Sequence, residues 1–388
     1  MDVKARIVYI HPAIRSYRLG MFEKLHNNFT IDFFWSEVTN SDPNIHIAEE
    51  TSSILAVREL SSFQGKELGF LPIRGFSFSL LSLPFKNYNI YVFSNITSIP
   101  FLLLAPVLGI LGKKVIIFDE MWRYPIEIRK YRIIFPYVRK LLKFWVSGVV
   151  AAGSKAKGFY INDLGFDSNQ VEVAYNTTVD LRAVRQYAVT KSLIRNRVSF
   201  KTKKSTLLYL GRIVEYKGLD VLIRSMVNVD VQYDLVIVGD GPFKELCLNL
   251  VEQLKLGDRV HFMGSCLSKE AVYYYDICDI FILPTRFKYE NNVQIESWGF
   301  TVNEAMSLEM PVIATTAVGS AYDLVINGVT GGIADAGSVE SLVSTINLVI
   351  KNNDCNKIGR QARYHLIKTC DHNKNLKSYS RLFSKVLA

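Results

Sequence analysis

Short apolar runs alternate with longer stretches of helical period along this chain, and the alternation starts afresh once, near its middle. In the first half, the runs at 6–10, 31–35, 90–93, 115–118, 148–151 and 171–174 read as strands. In the second half, those at 206–210, 234–238, 260–263, 280–283 and 312–314 do. Several are unbroken Val, Ile and Leu, the pattern of a parallel sheet covered by helices on both faces. Strand and helix in alternation predict α/β architecture with two doubly wound domains. Such sheets take ligands at the carboxyl ends of their strands. Between the halves, 179–204 is polar and basic and lacks a clear apolar period. The expected division is a first domain at 1–180, a linker at 181–204, a second domain at 205–366 and a terminal helix at 367–388. Leu376, Tyr379, Leu382, Phe383 and Val386 share one face of that last helix, which is expected to pack back on the first domain.

The longest apolar stretch, 99–112, is interrupted by Pro100 and Pro106. A bilayer-spanning helix needs about 20 residues, so this one is expected to be a buried core helix. The apolar run after the N-terminal charges is too short for a signal-peptide core, which points to a cytosolic protein. Five cysteines, with no C-x-x-C pair among them, read as reduced thiols and not as a disulfide framework. A formal net charge of +10 asks for an anionic partner. No nucleic-acid-binding module accompanies it, so nucleic acid is not expected.

Three segments carry candidate chemistry. The first strand of the second half ends at Gly211, followed by Arg212 and Lys217 and by a helix opening after Gly218. Both cations suit phosphate, Arg as a planar fork and Lys as a mobile point charge, though a solvated loop would look the same. The segment from Val238 to Pro242, V-G-D-G-P, holds two glycines of a dinucleotide fingerprint without the third, so a tight turn fits it better than NAD or FAD. The third segment runs from Glu296 to Met306, E-S-W-G-F-T-V-N-E-A-M, with a helix expected to begin near Thr301 and to stop before Pro311. Gly299 lets backbone approach a ligand closely. The free amides around Phe300, Thr301 and Val302 suit a diphosphate. Glu296 and Glu304 would offer carboxylates at two depths of one pocket, as the paired hydroxyls of a sugar or ribose require. Thr301-x-x-Glu304 also fits a capping box, in which Glu304 merely closes the helix end and Glu296 is an exposed loop acid.

In order, these pieces resemble a family 4 retaining glycosyltransferase of GT-B fold. The likeness runs through G-R-x-x-x-x-K-G at Gly211 to Gly218, V-I-V-G-D-G-P ending at Pro242, D-I-F-I-L-P-T ending at Thr285, and E-x7-E at Glu296 and Glu304. E-A-M-x-x-x-x-P-V-I-A-T follows, ending at Thr315. The first 180 residues match only loosely. The resemblance implies two Rossmann-like domains facing across a cleft, with the donor held by the second. It implies that Arg212 and Lys217 neutralise the donor diphosphate and that Glu296 faces the transferred sugar. It further implies that Glu304 holds the ribose hydroxyls and that Gly211, Gly299, Phe300, Thr301 and Val302 line the phosphates. No cofactor and no metal are expected, because no D-x-D carboxylate pair stands out. The departing phosphate oxygen can itself take the acceptor proton.

The chain departs from the family after its first strand, where a Gly-rich turn is replaced by a stretch holding Arg15 and Tyr17. It departs again where Asp119 and Glu120 stand in place of a histidine. Arg15, Tyr17 and Asp119 are the acceptor-side candidates. The segment from Arg123 to Trp145 carries seven cations against one acid, Glu127. It reads either as a core helix with a solvated face or as a contact for an anionic membrane. The expected activity moves a sugar from a UDP- or GDP-linked donor to a hydroxyl of a glycan or lipid-linked acceptor, in cell-surface polysaccharide or glycolipid synthesis at the cytoplasmic face. A sugar-nucleotide epimerase of the same fold and a non-catalytic sugar-nucleotide-binding subunit are the alternatives.

Overall fold

The structure, a computed structural model, describes residues 5–11, 18–35, 78–94, 96, 98–123, 137, 143–178, 181, 205–288, 295–351 and 354–388. The chain forms two compact units, one of Met1–Thr177 with Cys370–Ala388 and one of Thr178–Thr369.

The first unit holds β1 (Arg6–His11), α1 (Leu19–Asn28), β2 (Thr30–Trp35), a 3-10 helix (Phe78–Phe85), β3 (Ile90–Phe93) and α2 (Ile99–Ile110). It continues with β4 (Lys114–Asp119), β5 (Gly148–Ala151), α3 (Ser154–Gly158) and β6 (Val171–Val173). The six strands are all parallel, in the order β2-β1-β3-β4-β5-β6. Strands β3 and β5 are buried along their whole length, as their unbroken apolar runs require when helices cover both faces.

The second unit holds β7 (Ser205–Leu210), α4 (Leu219–Ser225), β8 (Tyr233–Val238), α5 (Lys244–Gln253), β9 (Val260–Phe262) and α6 (Ser268–Ile277). Then come β10 (Ile280–Leu283), α7 (Phe300–Ser307), β11 (Val312–Thr315), α8 (Ala321–Leu324), β12 (Gly331–Ala334), α9 (Val339–Lys351) and α10 (Cys355–Thr369). Its sheet is also parallel, in the order β12-β11-β10-β7-β8-β9. The two-fold doubly wound α/β expectation therefore holds. Strand β12 was not anticipated, because its sequence G-G-I-A carries a single β-branched residue.

The chain then returns to the first unit as α11 (His372–Leu387), capped by the Asp371 side chain accepting from the Lys374 amide at 2.8 Å. Tyr379, Leu382, Phe383 and Val386 enter one core cluster with Tyr9, Val92, Ile116 and Val150. The Asn375 amide donates to the Tyr175 carbonyl at 2.6 Å, and Arg381 and Lys385 both pair with Glu172.

Helix α2 corrects one expectation. It is a single helix, started by Ser98, whose hydroxyl accepts from the Phe101 amide. It is not buried all round. Phe101, Leu104, Ala105 and Leu108 face the core, whereas Leu102, Leu103, Val107 and Ile110 face outward and are exposed. Composition alone predicted burial because both faces are equally apolar. Among the described residues, no helix is long and apolar enough to cross a membrane.

Candidate functional site

The strand order of the second unit fixes where a ligand would go. From β7 the chain steps outward to β8 and β9, then returns to the other side of β7 for β10, β11 and β12. The reversal lies between β7 and β10, and the crevice beyond their carboxyl ends is the standard ligand position of such sheets.

The loop leaving β7 is fastened on both sides. The Tyr209 hydroxyl donates to the Arg212 carbonyl at 2.8 Å, and the Ile213 amide donates to the Asp240 carbonyl at 2.8 Å. Gly239 packs against the same loop so closely that a β-carbon there would lie 1.9 Å from the Gly211 carbonyl oxygen. The glycines of V-G-D-G-P thus serve backbone-to-backbone packing that holds Arg212, and not a dinucleotide. The Arg212 side chain is exposed, with Nη2 donating to the Tyr216 hydroxyl at 3.4 Å.

The turn Glu215–Lys217 ends on Gly218, whose φ of 70° is left-handed. A side chain there would put its β-carbon 2.0 Å from the Pro284 carbonyl oxygen. This glycine lets the β7 loop lie directly on the β10 loop. Ion pairs complete the joint: the Arg286 guanidinium bonds Asp220 at 3.0 Å and Glu215 at 3.2 Å, and Lys288 pairs with Glu215. These pairs hold the Glu215 carboxyl below its ordinary range, with the Lys288 contact leading.

Lys217 and Glu296, 79 positions apart, form an ion pair. Their side chains are only 13% and 18% exposed, so solvent screens the pair weakly. Glu296 is no free loop acid. Its amide donates to the Ala317 carbonyl at 3.1 Å, and its own carbonyl accepts from Gly319 at 2.9 Å, forming a bridge with Val318. The Trp298 indole donates to the buried Asn303 side chain at 2.8 Å and fixes the entry into α7. Gly299 caps that helix at φ 93° with a β-carbon position 3.1 Å from Glu296 Cγ. Helix α7 starts at Phe300, with Thr301 and Val302 in its first turn; the Val302 amide donates to the Gly299 carbonyl at 2.9 Å, and the amides of Phe300 and Thr301 precede the first i to i−4 bonds of the helix.

Because α7 starts at Phe300, Glu304 lies beyond its first turn and does not close a capping box. Its carboxylate instead accepts from the Tyr275 hydroxyl on α6 at 2.8 Å. Burial pushes the Glu304 carboxyl up to about 7, and the Tyr275 hydrogen bond pulls it back. Lys217, Glu296 and Gly299 thus meet directly, whereas Glu304 points toward α6. Sequence reasoning passed over Tyr209, Tyr275 and Arg286. The two tyrosines sit in apolar or aromatic runs that look like ordinary core, and the Arg286 partners lie 66 and 71 positions away.

In the first unit, Asp119 ends β4 and is buried. It accepts from the Tyr160 hydroxyl at 2.7 Å and from the Met121 amide at 3.0 Å. Burial raises it to about 6 against the pull of those bonds. Arg15 and Tyr17 lie outside the described residues, as does most of the segment from Arg123 to Trp145.

Residues 190–365 match the family model of glycosyl transferases group 1. The second unit is a group 1 glycosyltransferase domain. The chain is 28% identical over 155 residues to the GDP-mannose-dependent alpha-(1-6)-phosphatidylinositol monomannoside mannosyltransferase of Mycobacterium tuberculosis, 39% of this chain and 40% of that protein. It is 23% identical over 259 residues to the N-acetyl-alpha-D-glucosaminyl L-malate synthase of Bacillus anthracis, covering 65% of this chain and 64% of that one. The alignment therefore spans about two fifths of the first relative's length. Both units superpose on the crystal structure of HepE from Anabaena in complex with UDP, with a TM-score of 0.72 at 16% identity over 98% of this chain and 100% of that one. The group 1 domain thus sits within a two-domain GT-B fold.

Proposed function

We propose that this protein is a retaining glycosyltransferase that moves a sugar from a UDP- or GDP-linked donor to a hydroxyl of a glycan or lipid-linked acceptor. The observation that carries the reading is the Lys217–Glu296 pair at the crevice between β7 and β10, beside Arg212 and the start of α7. As the bond from the sugar C1 to the diphosphate breaks, negative charge grows on the leaving phosphate. Arg212, Lys217 and the amides of Phe300 and Thr301 are the groups suited to hold it. This supports a reaction that needs no metal ion. Lys217 is paired with Glu296. An arriving diphosphate shares that cation and leaves Glu296 to accept from a sugar hydroxyl. Glu304 takes the ribose hydroxyls. The new bond joins C1 to the acceptor oxygen, and the acceptor proton passes to the departing phosphate oxygen, so the nucleoside diphosphate leaves with charge and atoms in balance.

Arg15, Tyr17 and Asp119 of the first unit are assigned to the acceptor, with Asp119 at a strand's carboxyl end in support. The product belongs to cell-surface polysaccharide or glycolipid synthesis, made on the cytoplasmic side of a membrane with anionic lipid met through the segment from Arg123 to Trp145. The mannosyl-lipid relative and the net charge of +10 support this. The test is a panel of UDP-, GDP- and ADP-sugars with nucleotide release measured. One donor should be consumed, and Lys217→Met should lower its turnover by about a hundredfold. Equal turnover in that variant would sink the reading.

A further inference from the structure

Two long cations serve the proposed donor site, and aiming them is a physical problem in itself. Arg and Lys lose more rotamer freedom on being fixed than most side chains do. They also repel each other when both turn to one diphosphate. Glu296 fixes Lys217, but a carboxylate that holds a cation also cancels its charge. A neutral, electron-rich group would hold a cation and leave its charge for the ligand.

Tyr216 is such a group, and it touches both cations. Its hydroxyl oxygen accepts from Arg212 Nη2 at 3.4 Å. The Lys217 ammonium lies 5.7 Å from the centre of its ring. That is within reach of the attraction between an ammonium and the negative face of an aromatic ring. Hydroxyl and ring face are separate handles, so one side chain links the two charges.

The backbone of the tyrosine is fixed independently of its side chain. Its carbonyl accepts from the Arg286 amide at 2.8 Å, and the next amide, that of Lys217, donates to the Val214 carbonyl at 3.0 Å. On one side Glu215 is held by Arg286 and Lys288; on the other Gly218 rests against the Pro284 carbonyl. Any residue at 216 would make the same main-chain bonds. Changing the side chain therefore leaves the turn in place and removes only what the ring and hydroxyl do to the cations.

We infer that Tyr216 is a positioning residue for the donor diphosphate, its hydroxyl aiming Arg212 and its ring steadying Lys217 without neutralising either. The inference rests on the transferase reading and deepens it. Tyr216 acts through the two cations and not on the reacting bond. Preorganising them raises affinity because less freedom is left to lose when the diphosphate binds.

The test is calorimetric titration of the full chain with UDP against UMP and with GDP against GMP. The wild type should prefer the diphosphate of one base over its monophosphate. Tyr216→Phe keeps the ring and should shrink that preference about threefold; Tyr216→Leu keeps neither handle and should shrink it about tenfold. Monophosphate affinity and melting temperature should change little in both. Coupling supplies a readout that a merely structural residue would not give. In an Arg212→Ala background Tyr216→Phe should have no further effect, since the hydroxyl then has nothing to aim. In a Lys217→Met background Tyr216→Phe and Tyr216→Leu should behave alike. An unchanged preference in Tyr216→Leu would overturn the proposal, as would equal loss of monophosphate and diphosphate binding. So would a full effect of Tyr216→Phe in the Arg212→Ala background. Each of these leaves the transferase reading standing. A wild type that binds neither UDP nor GDP would remove that reading, and this proposal with it.

Discussion

Replacing Glu304 with Gln should erase a pH dependence of donor binding that the wild type shows across neutrality. Burial holds the Glu304 carboxyl at about 7, against the opposing pull of the Tyr275 hydroxyl. Its polar neighbours do not titrate there: burial raises Tyr275 well above 10 and pushes the Cys266 thiol up to about 11. A ribose diol donates both hydroxyls best to the ionised form, which has two acceptor oxygens and the stronger, charge-assisted bonds. A carboxyl whose value is raised by burial keeps its proton below that value, so affinity grows as pH climbs through about 7. About a tenth of the sites are ionised at about pH 6 and about nine tenths at about pH 8. Apparent affinity should therefore be about tenfold weaker at the lower pH, or about 1.4 kcal/mol. Calorimetric titration with a nucleoside-diphosphate sugar measures this cleanly, because both of its phosphates are esterified and neither titrates in the range. Run in two buffers of different ionisation heat, it should report release of about 0.9 proton per complex at about pH 6 and about 0.1 at about pH 8. Glu304→Gln should bind with no slope and no proton release. Tyr275→Phe should move the midpoint above the wild-type value, since it removes the bond that lowers it. A flat wild-type profile, or the same slope in the Gln variant, refutes the assignment of Glu304 to the ribose.

Other perturbations test the surrounding frame. Arg212→Ala should lower turnover about a hundredfold or more with an unchanged melting curve, since the side chain is exposed and its loop is held through backbone; wild-type nucleotide release would refute its role. Gly299→Ala places a β-carbon at φ 93° against Glu296, Leu283 and Val318, which should cost about 1–2 kcal/mol, read as a lower melting temperature together with weaker donor binding. An unchanged melt would show that the α7 entry tolerates a side chain. Asp119 is raised from 3.8 to about 6, so the stability linked to its proton is present in acid and lost as pH rises through about 6. Asp119→Asn should therefore gain about 1–3 kcal/mol of stability over the wild type at about pH 8, read as a higher melting temperature, and lose that advantage only as the pH falls toward about 4. A gain independent of pH would mean that the carboxyl is not the titrating group.

Much of the frame was legible because parallel strands buried on both faces carry apolar runs, as β10 does along its whole length and β7 and β8 do over their last four residues. The β12 strand escaped because its glycines mimic a turn, and its pairing with β11 depends on neighbours distant in sequence. Spacing also isolated Arg212, Lys217, Glu296 and Glu304, but it could not choose between a capping box and a carboxylate offered to a ligand's hydroxyls. The choice rests on where α7 begins, and that is fixed by Trp298 and Asn303 locking the turn before it. Tyr275 was invisible for a related reason. In the run Y-Y-Y at 273–275 only the fold decides which ring reaches a carboxylate. The exposed stripe of α2 shows the limit from the other side, since an apolar residue looks the same in sequence whether the protein or something else covers it.

The route of the backbone through the two units constrains how the protein can be made. The second unit is one unbroken stretch, Thr178–Thr369, and can close its core as soon as that stretch has left the ribosome. The first unit cannot. Its strands emerge earliest, yet Tyr379, Leu382 and Phe383, which fill its core, are translated only after the whole of its neighbour. During synthesis the older half waits, with Tyr9 and Val92 uncovered, for α11 to arrive. A nascent chain stalled just past Thr369 should thus carry a protease-resistant younger half joined to a protease-sensitive older one.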